Sequence, residues 1–489
     1  MAYLEGSPKP HRSMREFLAL LESRGLLNRI SKPVDRMWEI GTLARWMFQA
    51  LPEEKRFGMM FESVSGFQIP VVTGALGASR YTYAAALNVA PEEINDAWVR
   101  ACRNPHRPRQ VTPAACQEVV LTGKEASLAI LPIPVWTPGK DVAPYITTTV
   151  ITRDHDTGVQ NMGVYRTQVR DDASVVVNFS PNRQGTQNVA SWTKLGKRAP
   201  LAWVIAAEPA VQLATLANLP PGWDELDIAG GMMGAPVEVV RARTSDLLVP
   251  ANAEIIIEGE VHPGETQLEG PFGEFAGFMG PVEERPIARI NAITHRKNPL
   301  YYGYTSQMPP SESVTMQSLT NAGYLLKQLR FDLGETSVTD VYIDLTFGGL
   351  LAHCIIAMDS RYPAHAKKVG RLVAEISPLK RVTVVDSDVD IRDPQHVDWA
   401  LNSRYNPSRD TVIIDDVFFP IHMDPSVRSR DATSTMGSKI VLDATAKIDA
   451  GPLSLPSKET MMKGLESWKQ AGLPEFVIPK RAMLRIDKA

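Results

Sequence analysis

The sequence predicts a multidomain protein of mixed class, in which α+β and α/β regions follow one another along the chain. Its 489 residues are enough for roughly two or three domains, each with a hydrophobic core. From about residue 116 to 300, short β-branched runs lie between Gly, Pro, Asn and Asp, which is typical of a β-barrel or a sandwich. From about residue 320, strand and helix patterns alternate, which indicates an α/β layer.

Composition excludes several classes of protein. The formal net charge of −3 gives no basis for a nucleic-acid-binding surface. Three scattered cysteines form no CxxC pair, which argues against a disulfide framework or a thiolate zinc site and fits a reducing cytoplasm. We find no apolar run that reads as a signal peptide or a membrane span, and therefore expect a cytoplasmic protein.

An N-terminal α/β domain is predicted for residues 1–115. Apolar positions at helical spacing predict a helix over residues 13–26, with Ser13 as its N-cap and Gly25 as its stop. A second helix is predicted over residues 34–51, and an alternating segment over 59–74 predicts a strand and a turn.

The rest of the chain is divided into a β-rich domain (116–315), an α/β domain (316–450) and a tail (451–489). In the β-rich domain the predicted strands are 145–152, 173–179, 202–207, 237–241 and 254–261, with helical inserts at 187–196 and 210–216. In the α/β domain the predicted strands are 338–349, 350–358, 381–391 and 410–416, with a helix over 364–376. The Pro-rich tail predicts one helix that packs on the body or on a second subunit.

Two carboxylates five residues apart, Glu269 and Glu274, are the first candidate for chemistry. They lie in the segment LEGPFGEFAGF, whose Gly and Pro residues let the backbone bend sharply. In an apolar setting such a pair can divide its roles, so that one acid stays ionised and the other holds a proton. The alternative is a solvated hairpin turn with two surface glutamates.

The segment from Asn161 to Arg166 is the second candidate. Asn161 offers an amide oxygen that suits a hard cation or a ribityl hydroxyl, and Arg166 offers a fork for a carboxylate or a phosphate. Gly163 allows a ligand to approach the backbone closely. The alternative is a strand edge whose arginine pairs with a surface acid.

A cluster of acids before a small-residue turn is the third candidate: Asp224, Glu225 and Asp227. Clustered acids suit a cation, so Glu225 is a possible metal ligand. The alternative is a helix N-terminus whose acids complement the helix dipole. The sequence contains no HExxH, GxGxxG, P-loop or GxSxG motif, which leaves zinc hydrolase, dinucleotide, phosphate-loop and serine hydrolase chemistry without support.

Taken together, these segments resemble the UbiD family of reversible decarboxylases, whose members use prenylated flavin mononucleotide. The matching segments span about residues 145–450 in the family's order: NMGVYRTQV, LPPGWDELDIAGG, VPANAEIIIEGE, LEGPFGEFAGF, YPAHAK, DVDIRD with WALNSR, and GSKIVLDATAK. The resemblance implies a split β-barrel cofactor domain over 116–315, an α/β dimerisation domain over 316–450 and a C-terminal helical tail. It also implies a homodimer or a higher homo-oligomer.

The resemblance assigns a role to individual residues. Arg166, Glu269 and Glu274 match the family's catalytic network. Two ligands of a divalent metal, Mn²⁺ or Mg²⁺, correspond to Asn161 and Glu225. The implied cofactor-binding residues are Asn161, Gly163, Val164, Tyr165, Arg166, Arg183, Gln184, Leu216, Ala217 and Lys367, of which Lys367 is expected at the phosphate. A K⁺ site is expected at Ala214 and Thr215, with Arg404 beside it.

One position departs from the family pattern. The third metal ligand, a histidine in several members, falls on Gln184. A glutamine oxygen can ligate Mn²⁺ or Mg²⁺, although it is a weaker ligand than imidazole. Gln184 therefore substitutes, or water fills the position, or the cation is held less tightly. Arg183 beside it is an alternative contact for the substrate or the flavin.

The expected reaction is a non-oxidative, reversible decarboxylation of an aromatic or heteroaromatic acid. The resemblance implies a covalent substrate–flavin intermediate, with Glu274 as the proton donor and a flavin prenyltransferase as the supplier of the cofactor. The substrate pocket is expected to be lined by the segment 304–310, by residues near 418–423 and by Met436. Within this set, Met308, Phe418 and Met436 suit a flat apolar ring, with ordinary core packing as the alternative. Three alternative functions stay open: an acrylic acid decarboxylase, a flavin oxidoreductase and a non-catalytic subunit of a carboxylase.

Overall fold

The chain folds into two structural units, each built from helices and strands. The structure is a computed structural model that describes residues 10–180, 183–220, 222–347, 353–418, 426, 436–448, 451 and 453–488. The first unit comprises Met1–Tyr324 and Leu345–Gly349, and the second comprises Leu325–Asp344 and Leu350–Ala489. Across the described ranges, no helix has both the length and the apolarity needed to cross a bilayer.

The first unit contains most of the strands and all but the last three residues of its last helix. Its helices are α1 (Met14–Ser23), α2 (Glu39–Ala50), α3 (Arg80–Leu87), α4 (Ile94–Arg103), α5 (Gln184–Thr193), α6 (Pro209–Ala214), α7 (Glu225–Met233) and α8 (Glu312–Lys327). Its strands are β1 (Leu27–Ile30), β2 (Gly58–Phe61), β3 (Val71–Thr73), β4 (Arg109–Gln110), β5 (Val119–Thr122), β6 (Tyr145–Ile146), β7 (Thr149–Arg153), β8 (Gln160–Val164), β9 (Thr167–Asp171), β10 (Ser174–Val177), β11 (Ala199–Ile205), β12 (Glu238–Arg241), β13 (Leu248–Pro250), β14 (Ile255–Glu269), β15 (Glu283–His295) and β16 (Tyr301–Tyr302).

A nine-stranded sheet forms the centre of the first unit, and its connectivity requires it to curl. Its order is β6-β9-β10-β15-β14-β11-β7-β8, with β5 added to β15. In a flat sheet, the six steps from β9 to β8 would separate these strands by roughly 29 Å. Yet β8 ends at Val164 and β9 begins at Thr167, and three residues reach at most about 11 Å. The sheet therefore curls until its two ends approach each other at this link.

Two smaller sheets complete the first unit. The sheet β1-β2-β3-β16 joins the N-terminal strands to β16, which pairs parallel to β3. The sheet β13-β12-β4 joins three short strands. Because β16 belongs to the N-terminal sheet, the segment that follows it, residues 303–311, begins beside the N-terminal elements.

The second unit is an α/β layer, as the alternation of patterns predicts. Its strands are β17 (Val338–Ile343), β18 (His353–Met358), β19 (Arg381–Asp386), β20 (Thr411–Phe418) and β21 (Met436–Ala444), and its helices are α9 (His365–Ile376), α10 (Pro394–Arg404), α11 (Pro407–Asp410), α12 (Lys458–Gln470) and α13 (Lys480–Ile486). The sheet order is β17-β18-β19-β21-β20. The three central strands are parallel, and the two edge strands pair antiparallel.

The sequence predictions for single elements succeed in kind and err at boundaries. Ser13 is the N-cap of α1, where its hydroxyl accepts the backbone N–H of Glu16. The second helix begins at Glu39 rather than at residue 34, because Val34 instead forms a β-bridge with Val64. The single helix predicted in the tail is wrong, since the described tail contains both α12 and α13.

Candidate active site

The three residues Arg166, Glu269 and Glu274 come from distant parts of the first unit. Arg166 lies in the short link between β8 and β9, where the two ends of the curled sheet approach each other. Glu269 is the last residue of β14, and Glu274 lies in the loop of residues 270–282 that connects β14 to β15. The curl of the sheet thus places the β8–β9 link beside the end of β14.

Arg166 contacts both carboxyl groups. Its Nε and Nη2 donate to the two carboxylate oxygens of Glu269, each at 2.9 Å, and its Nη1 pairs with Oε1 of Glu274. The side chain of Glu269 is fully buried, whereas that of Glu274 retains 13 % exposure. The hairpin turn considered from the sequence is present, but the two glutamates are not surface residues. They form one network with Arg166, in which Glu274 is the more accessible acid.

Polar residues that the sequence analysis did not single out complete the surroundings of Glu269. Asn178 Nδ2 donates to Oε2 of Glu269 at 3.0 Å. Gln168 Oε1 accepts hydrogen bonds from the backbone N–H of Gly270 at 3.1 Å and from the hydroxyl of Tyr145 at 2.9 Å. These residues lie in or beside β-branched runs, and nothing in their local sequence distinguishes them from other strand residues.

The 270–282 loop holds Glu274 through its own backbone. The N–H of Glu274 donates to the carbonyl of Phe278, and the N–H of Gly280 donates to the carbonyl of Phe272, both at 2.8 Å. A Cβ at position 280 would stand 2.7 Å from Oε1 and 3.1 Å from Cγ of Glu274, so any residue larger than glycine would displace this side chain. The glycines of LEGPFGEFAGFMG therefore shape the loop around the carboxyl group.

Asn161 and Glu225 also meet in the first unit, although 64 positions separate them. Asn161 Nδ2 donates to Oε1 of Glu225, and the N–H of Met162 donates to Oε2, both at 3.0 Å. Burial raises the pKa of Glu225 to about 8, and the described groups that act to lower it are neutral donors, such as the N–H of Met162 and the Asn161 amide. A buried carboxyl beside an amide oxygen is a pair of ligands that fits a hard divalent cation, because both groups offer oxygen atoms.

Glu225 is the first residue of α7, so the alternative of a helix N-terminus is correct for its position in the chain. Asp224 serves as the N-cap, and its carboxyl accepts the N–H of Leu226 at 2.9 Å. Glu225 instead faces β8. One acidic cluster therefore contains both a helix cap and a candidate ligand.

The start of α5 is connected to this pair through Tyr165. The Tyr165 hydroxyl accepts the backbone N–H of Gly185 at 3.1 Å and donates to Oδ1 of Asn161 at 3.4 Å. Gln184 is the first residue of α5 and Arg183 is its N-cap. Gln184, the position that departs from the family pattern, thus lies next to Gly185, which Tyr165 links to Asn161.

The remaining predicted residues of the first unit lie at the ends of β8 and α6. Gly163 and Val164 end β8. Ala214 ends α6, and the hydroxyl of Thr215 donates to the carbonyl of Gln212 at 2.8 Å. Leu216 and Ala217 follow, and the carbonyl of Leu216 accepts Nδ2 of Asn321 at 3.1 Å.

Two predicted residues belong to the second unit. Lys367 lies on α9, where its Nζ donates to the carbonyl of Arg409 at 3.0 Å. Arg404 ends α10 and forms ion pairs of 2.7 Å with Asp386 and with Asp388. The roles of Lys367 and Arg404 toward a cofactor and a cation stay predictions.

The residues predicted to line an apolar pocket are only partly described. Met308 and Met436 are 54 % and 45 % exposed, so ordinary core packing is wrong for both. Phe418 ends β20, and the segment 419–423 lies outside the described residues. The composition of the pocket stays a prediction.

Three family models match the chain in order. They are the N-terminal, Rift-related and C-terminal domains of 3-octaprenyl-4-hydroxybenzoate carboxy-lyase, at residues 18–102, 109–309 and 314–444. Together they cover most of the 489 residues. The chain therefore belongs to the UbiD family of carboxy-lyases.

Individual relatives agree with this assignment over nearly their whole length. An uncharacterized protein of Synechocystis sp. is 31 % identical over 466 residues, which cover 89 % of this chain and 90 % of the relative. The UbiD-class enzyme HmfF from Pelotomaculum thermopropionicum has been solved with FMN and, in an evolved dimeric form, with prFMN. Both structures are 32 % identical, with TM-scores of 0.82 and 0.81, and cover 94 % of this chain and 99 % of theirs.

A second solved relative is vanillic acid decarboxylase from Sedimentibacter hydroxybenzoicus, in its closed form. It is 28 % identical with a TM-score of 0.82, and the match covers 94 % of this chain and 100 % of the relative. The mixed α/β multidomain fold, with its curled sheet, is thus that of UbiD-class structures.

Proposed function

We propose that this chain is a prenylated-FMN-dependent enzyme that removes the carboxyl group of an aromatic or heteroaromatic acid, reversibly and without oxidation. The observation that carries the proposal is the buried network in which Arg166 contacts both Glu269 and Glu274. The relatives support the cofactor and the substrate class, because HmfF was solved with prFMN or FMN and another relative is a vanillic acid decarboxylase.

A bound prenylated flavin would supply the electron sink that decarboxylation requires, which no side chain provides. The side chains of the chain manage the proton. Two carboxyl groups and one guanidinium in a buried site carry no net charge when they share one proton. Glu269 accepts two N–H groups of Arg166 and one of Asn178, so its two oxygens are held by fixed donors and Glu274 is the freer of the two acids to move a proton. Glu274 then holds the proton and delivers it to the ring carbon that has lost carbon dioxide.

A divalent cation, Mn²⁺ or Mg²⁺, completes the proposed site. Asn161, Gln184 and Glu225 are the proposed ligands, and the cation would supply the positive charge that the buried Glu225 carboxyl needs. It would also neutralise the cofactor phosphate. A K⁺ ion at Ala214 and Thr215, with Arg404 nearby, and a phosphate contact from Lys367 are proposed on the family resemblance alone, as are the other cofactor contacts.

The proposed architecture follows the family. The curled sheet is the part of a split β-barrel that holds the flavin, and residues 316–450 form the dimerisation domain. The chain then acts as a homodimer or a higher homo-oligomer, and a flavin prenyltransferase supplies the cofactor. A dimeric form of HmfF supports the first of these proposals.

The test is to co-express the chain with a flavin prenyltransferase and to analyse the bound flavin by mass spectrometry. The holoenzyme is then supplied with benzoic, hydroxybenzoic, furoic, pyrrole carboxylic and cinnamic acids in D₂O. We expect a flavin heavier than FMN, and deuterium at the ring carbon of the decarboxylated product of one or more aromatic acids.

Other outcomes separate the alternatives. Plain FMN that is reduced by a nicotinamide would indicate an oxidoreductase. Exchange with cinnamic acid alone would indicate an acrylic acid decarboxylase. A prenylated flavin with no exchange on any acid would indicate a non-catalytic subunit and contradict the proposal.

A further inference from the structure

Gln307 is a buried amide with no hydrogen-bond partner. Its side chain is 3 % exposed, and neither Oε1 nor Nε2 has a partner among the described residues. Its backbone has a φ of +52°, in the left-handed region that residues with a Cβ rarely adopt. Unpaired buried amides destabilise a folded protein and are rare, and strained backbone clusters at functional sites. Gln307 combines both features.

Gln307 lies against the loop that carries Glu274. A Cβ at Gly273, the residue before Glu274, would meet Cγ of Gln307 at 2.7 Å. A Cβ at Gly277 would meet Sδ of Met308 at 2.7 Å and Cδ of Pro309 at 3.2 Å. Two glycines of the 270–282 loop thus allow it to contact the segment 307–309, and the Gln307 side chain packs against Gly273, the neighbour of the proposed proton donor.

The segment 307–309 does not need the Gln307 amide to hold it. On α2, Arg45 Nη1 donates to the carbonyl of Met308, and Gln49 Nε2 donates to the carbonyls of Met308 and Pro309 at 3.2 and 3.1 Å. Gln49 therefore uses its donor group on the backbone. The donor and the acceptor of Gln307 are both left for a group outside the described residues.

We infer that Gln307 determines substrate specificity by hydrogen-bonding a polar group on the ring of the acid, such as a hydroxyl or a ring N–H. The inference rests on the proposed function, because it needs an aromatic acid held near Glu274. A site that pairs with a substrate hydroxyl or N–H rejects an analogue without it, since the groups of the site then stay unpaired. The substrate class narrows from aromatic acids to hydroxylated or N–H-bearing ones.

The test compares matched acids on three holoenzymes: wild type, Gln307→Met and Gln49→Met. The pairs are 4-hydroxybenzoic with benzoic acid, and pyrrole-2-carboxylic with thiophene-2-carboxylic acid. The readouts are the ratio of kcat/KM between the members of a pair in deuterium exchange, and their dissociation constants from equilibrium dialysis. We expect wild type to favour the polar member of a pair and Gln307→Met to reduce that preference about 10- to 100-fold. Gln49→Met removes a glutamine amide that contacts the same segment from α2, where Arg45 still binds the carbonyl of Met308, and should leave the ratio within about 3-fold.

The outcomes distinguish a failure of the role of Gln307 from a failure of the proposed decarboxylase activity. If Gln307→Met leaves the kcat/KM ratio unchanged, or if wild type does not prefer the polar acid, the role of Gln307 is overturned. The proposed decarboxylase activity still stands in that case, provided that both acids are turned over. No turnover of any acid by wild type overturns the decarboxylase, and the dissociation constants then test Gln307 alone. If Gln307→Met does not fold, Gln307→Glu keeps the shape and removes the donor, and its ratio decides.

Discussion

At the scale of single residues, Arg166 divides its N–H donors between two carboxyl groups. Its bidentate pairing with Glu269 is rigid and fully buried on the carboxylate side, whereas Glu274 receives one nitrogen and remains partly accessible. A guanidinium can hold both acids at once because its donors form a planar fork. An ammonium is a point charge and cannot reproduce this arrangement.

Arg166→Lys should therefore lower the rate of isotope exchange by about 10²- to 10³-fold, because the positive charge remains but the fork is lost. Arg289→Lys is the matched control. Arg289 forms a bidentate pair with Glu265 on the same sheet, but its side chain is 56 % exposed. The exchange rate of Arg289→Lys should stay within about 2-fold of wild type, since exposed ion pairs contribute little to stability. Equal losses in the two variants would show that the effect is general destabilisation.

At the scale of elements, the 270–282 loop positions Glu274 by close backbone packing. Gly280→Ala should displace the Glu274 carboxyl, because the added Cβ would stand 2.7 Å from Oε1. We expect at least about a 10-fold loss of exchange with little change in the thermal midpoint. Gly464→Ala on α12 is the control, since a Cβ there meets nothing within 4 Å. Normal exchange in Gly280→Ala would contradict this role of the loop.

A second element-scale prediction concerns Glu208, which precedes α6. Burial raises its pKa to about 7, and its Oε2 has no hydrogen-bond partner among the described residues. Since the folded state holds this proton more tightly than the unfolded state, the stability that protonation contributes is present below about pH 4.5. It is lost as the pH rises through 7.

Glu208→Gln should remove this pH dependence. Between pH 5 and pH 8, wild type should lose about 2–3 kcal/mol of unfolding free energy relative to the variant. Urea denaturation of both proteins at each pH measures the difference. Parallel pH profiles would show that Glu208 has the same proton affinity in the folded and unfolded states.

At the scale of the whole molecule, the fold brings Asn161 of β8 and Glu225 of α7 into contact, and Tyr165 links Asn161 to Gly185 at the start of α5. In the holoenzyme, removal of Mn²⁺ by chelation should lower the thermal midpoint by about 5 °C, because the cation binds only the folded chain. Glu225→Gln should abolish this shift. Asp227→Asn, on the same turn of α7, should retain it. A shift that survives in Glu225→Gln would place the cation elsewhere.

The sequence predicted the kinds of elements because helical and strand patterns are local. It predicted the trio only through the family resemblance, since Arg166 and Glu269 are 103 positions apart and neither has a local signature. Asn178 and Gln168 were not singled out as site residues for the same reason, and Gln307 was predicted only as a member of the pocket segment 304–310. Their importance depends on which groups face them after folding, and on whether their polar atoms find partners.

The predicted start of the second helix and the predicted number of tail helices are wrong for different reasons. Val34 continues the helical pattern of the next segment, but a bridge to Val64 thirty positions later takes it out of the helix. In the tail, Gly472 adopts a φ of +66° and separates α12 from α13, whose seven residues are too few for a clear helical period. The division into four domains stays a prediction, beside the two units that the contacts define.

The most direct test of Glu274 as the proton donor is the rate at which the Glu274→Gln holoenzyme incorporates deuterium into the product in D₂O. Glu284→Gln is the control, because Glu284 is an exposed acid on β15 whose carboxyl accepts only the Thr266 hydroxyl at 3.3 Å among the described hydrogen bonds. If Glu274 donates the proton, exchange should fall about 10²- to 10⁴-fold in Glu274→Gln and stay near wild type in Glu284→Gln. Wild-type exchange in Glu274→Gln, with the cofactor bound, would contradict the account.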